Sequence, residues 1–503
     1  MKSFEILEKL VKSKIVTTLG PASSSEEMLL KLRDQGVDVF RINMSHASKG
    51  GKEVKQLFNR IRKVTPELAI LMDIQGPKIR IGEIEGVVIL KHGDTFRLFE
   101  KTIVGNKEQA SISYKGFLTD IQIGNFIFIN DGLVRLKVIS KNMDEGYLQT
   151  EVIAGGPISS RKGVNIPSGA LSTKNPTDKD IHDLKLIASL IPEYLAASFI
   201  ANASEVKTIR AMLDNAGAPS VKIISKIERP IALDNFDEIL AVSDGIMVAR
   251  GDLGVEIPAE EVPIRQKEMI MKCNRASKPV IVATQMLESM INNPVPTRAE
   301  VNDVFNAVYD RSDAVMLSGE TSVGKFPLEA VKYMDKIICK AEKYIPIINP
   351  NVVDSEDPEM YEAVGHAVYL LAENFKDMNY RGKIVMFTGG GKSTRKAAKY
   401  RPAFPILAIT NKKTTARQLN LIWGVHPYLI KDLKFDEWSS EEIMQNGIKA
   451  LVEYGILELR EHVICTIPSR ISPVRCSIMG LYYVEDILRD IEIETKEYIP
   501  DFK

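Results

Sequence analysis

Cysteine is scarce in this chain of 503 residues: Cys273, Cys339, Cys465 and Cys476 are scattered, with no metal-ligand spacing. Buried, reduced thiols and a cytoplasmic location are expected. A charge excess of either sign is also missing, with 66 Lys and Arg against 66 Asp and Glu. That balance argues against a nucleic-acid or membrane-surface role driven by net charge. No apolar run is long enough to cross a bilayer as a helix. The opening Met-Lys-Ser-Phe-Glu-Ile-Leu-Glu-Lys-Leu has acids inside its apolar periodicity and lacks a signal-peptide run. What the chain does have is length, which exceeds one simple core and implies two to four domains.

Strand and helix patterns alternate from the start. Lys14 to Pro21 reads as a strand stopped by Gly-Pro, and Ser23-Ser-Ser-Glu-Glu-Met opens a helix to about Gly36. A strand from Val37, a helix near Val54 to Val64 and a strand from Leu68 to Asp73 follow. From about Pro77 to Asn165 helical patterns vanish, and short β-rich runs are split by turn signals such as His92-Gly-Asp and Asn130-Asp-Gly. That stretch is expected to be a small β-domain inserted in a loop.

The α/β rhythm resumes at Asp178. Strands are expected at Tyr194 to Ile200, Val221 to Lys226, Gly245 to Ala249, Pro279 to Ala283 and Ala314 to Leu317. Three strands before the insert and five after it suggest a (β/α)8 TIM barrel, with polar strand ends marking the active face. An open doubly wound sheet is the alternative, but no Gly-x-Gly-x-x-Gly turn follows the first strand. After about Asn349 a second α/β segment begins, with strands near Ile384 to Phe387, Ile406 to Ile409 and His462 to Thr466.

Two strand ends carry the chemistry. In Ile223-Ile-Ser-Lys-Ile-Glu-Arg-Pro230, Lys226 and Glu228 are two apart and face the same side of an extended segment. Asp252 ends the next strand after Arg250-Gly251. One ammonium with two carboxylates suits a divalent metal beside a phosphoryl group. The plainer alternative is a surface ion-pair cluster. Farther on, the loop Thr388, Gly389, Gly390, Gly391, Lys392, Ser393, Thr394 leads into a helix at Arg395. Amides, hydroxyls and basic side chains there suit a phosphate, although the Walker spacing is absent and a plain turn remains the alternative.

Taken in order, Arg41-Ile-Asn-Met-Ser-His46, Met72-Asp-Ile-Gln-Gly-Pro-Lys-Ile-Arg80, Ile224-Ser-Lys-Ile-Glu228, Met247-Val-Ala-Arg-Gly-Asp-Leu-Gly-Val-Glu256, Ala283-Thr-Gln-Met-Leu-Glu-Ser-Met290 and Met316-Leu-Ser-Gly-Glu-Thr321 closely resemble the pyruvate kinase family. The likeness runs from about Lys14 to the C-terminus. It implies a barrel domain in two parts, 1–76 and 166–348, an inserted small β-barrel lid, 77–165, and a C-terminal α/β effector and oligomerisation domain, 349–503. It also implies phosphoryl transfer from phosphoenolpyruvate to ADP, giving pyruvate and ATP as the final step of glycolysis.

By that resemblance Glu228 and Asp252 hold Mg²⁺, with Mn²⁺ as an alternative, and Lys226 neutralises the phosphoryl group in flight. Arg41 holds the phosphate, while Gly251, Asp252 and Thr284 receive the substrate carboxylate. Asn43, His46, Arg80 and Lys179 match the nucleotide site. The Thr388–Arg395 loop matches a site for a phosphorylated effector, and the assembly expected is a homotetramer. Ser318 and Glu320 either order a proton relay or brace the barrel mouth.

One block departs from much of the family. Members that need K⁺ have threonine and lysine after the third-strand aspartate, and glutamate after Gly-Pro. Here Asp73 is followed by Ile74 and Gln75, and Lys78 stands where the acid would be. This resembles the branch that works without K⁺, with the Lys78 ammonium expected near Asn43, Ser45 and Asp73 in place of the ion. A barrel lyase or aldolase using Mg²⁺, and a non-catalytic sugar-phosphate sensor, are the rival functions. Neither needs Lys226, Glu228, Asp252 and Thr284 together with a lid.

Overall fold

Eight runs of four to six residues are almost wholly buried, which only a sheet covered on both faces accommodates. In the computed structural model they are β1 (Lys14–Thr18), β2 (Val39–Asn43), β3 (Ala69–Asp73), β4 (Tyr194–Ala197), β5 (Lys222–Ile227), β6 (Gly245–Ala249), β7 (Val280–Ala283) and β8 (Ala314–Leu317). All pair in parallel, each with its neighbour in sequence, and β1 pairs with β8 through Lys14↔Ala314 to Thr17↔Leu317, closing a TIM barrel. The structure describes residues 10–46, 51–167, 171–345, 360–469, 476–489, 491–494, 496, 498 and 502. The Asn349 boundary and the side chains of His46 and Cys476 lie outside the described residues.

Alternation along the strands fills two layers. Val16, Leu71, Ile224, Met247, Ile281 and Met316 point into the barrel. Their neighbours Ile15, Ile70, Ile223, Ile246, Val282 and Val315 pack outward under the helices. Caps fix where helices begin: Thr177 and Asp180 form a capping box on Asp178–Leu190, and Thr297 and Glu300 form another on Arg298–Tyr309.

Between β3 and β4 the insert folds as a six-stranded sheet with a two-stranded ribbon beside it. The short stretch after Ile79 bridges both edges of the larger sheet, Arg80 to Gly163 and Ile81 to Ile112. Those bridges draw it into a small barrel around its own core of Phe96, Phe117, Ile127, Leu136 and Leu148.

The C-terminal sheet has five strands rather than the three expected. These are β9 (Gly382–Phe387), β10 (Ile406–Thr410), β11 (Val425–Leu429), β12 (His462–Ser469) and β13 (Cys476–Tyr483), in the order β11-β10-β9-β12-β13 with β13 antiparallel. This domain covers the barrel floor. Arg401 forms an ion pair with Asp313 at 3.0 Å and donates to Asn274 Oδ1 at 2.7 Å. Arg417 and Asn420 donate to the carbonyls of Pro66 and Glu67 at 2.6 and 2.8 Å. Leu421 reaches into the barrel interior itself. Among the described residues, no helix is long and apolar enough to cross a membrane.

Candidate active site

The C-terminal strand ends converge on one buried carboxylate. Asp73, at the end of β3, accepts from Arg41 Nε on β2 at 2.8 Å, and Arg41 also donates to Thr18 Oγ1 on β1 at 2.8 Å. The other Asp73 oxygen takes Ser198 Oγ at 3.2 Å and lies 3.4 Å from Lys226 Nζ on β5. Burial opposes ionisation of Asp73, but Lys226 and Arg41 outweigh it and hold the carboxyl below its usual range.

Lys226 is the hub of the mouth. Its ammonium donates to Ser198 Oγ at 2.7 Å and lies 2.9 Å from Glu228 Oε1. Burial works against its charge, yet Asp73 and Glu228 overcome that and raise its affinity for the proton. The expected same-side placement of Lys226 and Glu228 is therefore observed. Glu228 Oε2 accepts from the Phe199 amide at 2.7 Å, while Oε1 lacks a well-aligned hydrogen bond. Burial raises the Glu228 carboxyl, Lys226 opposes the rise and Asp252 adds to it by repulsion.

That under-satisfied oxygen and its repulsive neighbour fit a hard divalent cation between Glu228 and Asp252. Among the described residues no cluster of three or more His, Cys, Asp or Glu builds a metal cage. Two carboxylates leave the remaining positions to water and substrate oxygens, the usual pattern for Mg²⁺.

Asp252 lies in the first turn of the helix Arg250–Glu256 that follows β6. The Gly251 amide donates to Thr284 Oγ1 at 2.7 Å, and Thr284 Oγ1 donates to the Ala283 carbonyl at 2.6 Å. A Cβ on residue 251 would stand 3.2 Å from Thr284 Oγ1, so glycine lets the two segments meet. Thr284 and Gln285 both have left-handed backbones, φ 67° and 54°, a conformation side-chain-bearing residues adopt at a cost of about 1–3 kcal/mol each. Arg250 braces them, donating to the Thr284 carbonyl at 2.8 Å and pairing with Asp303 at 2.6 Å.

The lid touches the mouth through Lys78 and Asn165. Lys78 Nζ pairs with Asp252 Oδ1 at 3.0 Å, and Asn165 Nδ2 donates to Glu256 Oε1 at 2.8 Å. Lys78 thus lies on the second carboxylate, rather than on Asp73, whose oxygens are taken by Arg41, Ser198 and Lys226. Asn43 Oδ1 is likewise engaged, by the Ser45 amide at 3.0 Å. Ile74 is buried and offers no side-chain oxygen.

Lys179 donates to the Met44 carbonyl at 2.9 Å and pairs with Asp183 at 2.6 Å, so it adjoins the Met44–His46 turn. Arg80 donates to the Arg161 carbonyl at 2.8 Å and stays on the lid. Glu320 is buried and accepts the amides of Leu287 at 3.0 Å and Ser318 at 2.7 Å, which is bracing; Ser318 Oγ is buried without a partner.

Ser198 and Thr18 were not expected here. Both are uncharged residues at the ends of strands that otherwise carried no candidate. Scanning the polar residue at the end of every barrel strand would have found them.

The loop after β9 divides. Thr388, Gly389, Gly390, Lys392 and Ser393 line a cavity of about 110 Å³ with Thr466 to Pro468. Thr388 Oγ1 accepts the Gly391 amide at 2.9 Å, Gly391 turns with φ 75°, and Thr394 is buried. Arg395 was expected with them, but lines a different cavity against the barrel floor. The reason is helical spacing: on Lys392–Ala398, residues 392, 395 and 396 share one face, while Ser393 lies about a quarter-turn away.

Comparison with known proteins accords with this geometry. Residues 10–331 match the family model for the pyruvate kinase barrel domain, and residues 362–474 match that for the pyruvate kinase alpha/beta domain. A pyruvate kinase of Sporosarcina psychrophila is 40% identical over 487 residues, covering 95% of this chain and 81% of the relative. One from Geobacillus stearothermophilus is 38% identical over 484 residues, with the same coverages of 95% and 81%. A crystal structure of a pyruvate kinase from Cryptosporidium parvum superposes with a TM-score of 0.84 at 34% identity, covering 96% of this chain and 99% of that one. A closed parallel barrel, an insert after the third strand and an ammonium held between buried carboxylates at the mouth are thus found together with sequence likeness along nearly the whole chain, which belongs to the pyruvate kinase family of phosphotransferases.

Proposed function

We propose that the enzyme transfers the phosphoryl group of phosphoenolpyruvate to ADP, giving pyruvate and ATP in the last step of glycolysis. The observation that carries this reading is Lys226, fixed by Ser198, Asp73 and Glu228 at the barrel mouth. Phosphoryl transfer needs positioned positive charge more than covalent chemistry, and an ammonium held by three partners does not reorganise when charge moves. Glu228 and Asp252 would hold Mg²⁺ or Mn²⁺, which would supply Lewis-acid neutralisation of charge on the substrate.

Arg41 lies beside Lys226 and presents its guanidinium to the phosphate. Gly251, Asp252 and Thr284 receive the substrate carboxylate, their present mutual hydrogen bond being exchanged for it. Asn43, His46 and Lys179 form the nucleotide side, and Arg80 reaches it from the lid on closure, when water is excluded. The domain limits proposed are 1–76 with 166–348, 77–165 and 349–503. K⁺ is not required on this reading. Ile74 withdraws a side-chain ligand, and the Lys78 ammonium supplies fixed charge at the mouth through Asp252. The cavity of the Thr388 loop takes a phosphorylated effector, and family likeness supports a cytoplasmic homotetramer.

The test is a lactate-dehydrogenase-coupled assay with phosphoenolpyruvate, ADP and Mg²⁺, in potassium-free buffer and again with KCl. Comparable rates in both are expected. Activity only with KCl would discard the Lys78 substitution and keep the reaction. No turnover in either, from folded protein also given phosphorylated effectors, would discard the reaction.

A further inference from the structure

The face carrying Lys392, Arg395 and Lys396 looks across at the barrel floor, where Lys222 at the start of β5 and Lys278 before β7 form the opposite wall. Between them lies a cavity of about 390 Å³, within the size of small-ligand sites. Among the described residues, five cations line it against one acid, Asp244. That acid is already engaged by Lys222 at 3.0 Å, and Lys396 is paired with Glu362 at 3.0 Å.

Among the described residues, two of the cations have only carbonyls as hydrogen-bond partners. Lys278 donates to the Leu240 and Ala241 carbonyls at 2.5 and 2.8 Å, and Arg395 touches the Gly390 carbonyl at 3.4 Å. Burial lowers the proton affinity of the Lys278 ammonium, with Asp244 and Cys273 opposing only in part. Ser277 beside it has a left-handed backbone, φ 56°, and a buried hydroxyl with no partner. Such a wall is costly when empty and favourable around an anion that also accepts hydrogen bonds.

We propose that this cavity is a second ligand site, for a small phosphate monoester clamped between Lys278 and Ser277 of the barrel and Arg395 of the C-terminal domain. It differs from the barrel mouth and from the Thr388 loop cavity, and goes beyond the function proposed above. The only aromatic residue in the described lining, Tyr194, is buried with its hydroxyl donating to the Gln418 carbonyl. The site therefore offers no open ring for a nucleobase and suits a sugar phosphate. An occupant would tie the two domains together and stabilise their docked state.

The test is titration calorimetry on the full chain with glucose 6-phosphate, inorganic phosphate and, as the uncharged control, glucose. Glucose 6-phosphate is expected to bind and glucose to give no heat. Phosphate as tight as the sugar ester would support the anion site with free phosphate as its occupant. Lys278→Gln and Arg395→Gln are each expected to weaken binding about tenfold or more, as loss of a charge-assisted hydrogen bond should. Ser393→Ala, which touches only the loop cavity, should leave the Kd within about twofold. Arg395 makes one long contact, so its variant does not put folding at stake. No heat from either phosphate, or binding lost in Ser393→Ala but kept in both charge variants, would overturn the proposal.

Discussion

The two ends of the barrel carry charge in opposite ways. At the mouth, Arg41, Lys226 and Lys78 alternate with Asp73, Glu228 and Asp252, and every cation has a carboxylate within 3.4 Å. At the floor, Arg401 and Asp313 form a closed pair, while the neighbouring cavity, among the described residues, sets five cations against a single acid. The mouth is thus poised to exchange internal partners for substrate and metal without a change in burial. At the floor, Lys278 and Arg395 are held by carbonyls and not by carboxylates. Asking which pairs must open to admit a ligand distinguishes the two ends.

The sharpest way to break the contrast is Lys226→Met. Removing a preorganised charge aimed at the transition state should lower kcat about 10²–10³-fold, read in the coupled assay. Near-normal turnover would remove Lys226 from the mechanism. The mirror change at the floor is Arg401→Ala, which strands buried Asp313 and should cost about 3–5 kcal/mol in urea unfolding. Turnover at a temperature where the variant stays folded should be unaltered; a fall in kcat there would show that the floor is coupled to the mouth.

Lys78→Glu sharpens the mouth alone. It places an acid where K⁺-dependent relatives have one, so KCl should stimulate the variant about tenfold, roughly 1.4 kcal/mol, and the parent hardly at all. Equal rates with and without KCl would sink the substitution. The smallest effect is on acid stability. Asp73 ionises below its unfolded value, so its contribution is full above the ordinary aspartate range and is lost as pH falls through the lowered one. Asp73→Asn should therefore flatten the dependence of unfolding free energy on pH below about 4. An unchanged slope would mean that its partners compensate.

Much of this was legible in the chain. Eight short apolar runs ending in polar residues announced the barrel, and Gly-containing turns announced the insert. The same-side spacing of Lys226 and Glu228 survived folding because β5 stays extended to Ile227. Strand β11 was missed because Val425-His-Pro-Tyr-Leu429 contains a proline and a histidine. It lies at the sheet edge, where a missing amide costs little. The partner of Lys78 was unreadable, because it depends on how the lid docks over Asp252 and not on local pattern. Ser198 was overlooked for want of charge, although it touches both Asp73 and Lys226. Ser393 and Arg395 looked like one site by proximity in sequence, and helical rotation sent Arg395 to another.

Closure of the barrel by β1 against β8 has a consequence during synthesis. Residues 14–18 leave the ribosome before the other barrel strands but meet residues 314–317 only after some three hundred more have been added. At ribosomal rates of about 5–20 residues per second that is a wait of roughly 15–60 s. The insert has all its strands within one uninterrupted stretch and a core of its own, so it can be folded well before then. Leu421, which fills the barrel from below, arrives later still. The nascent barrel is therefore an open, sticky half-cylinder carrying a finished domain, and its exposure to chaperones is set by the distance between its first and last strands.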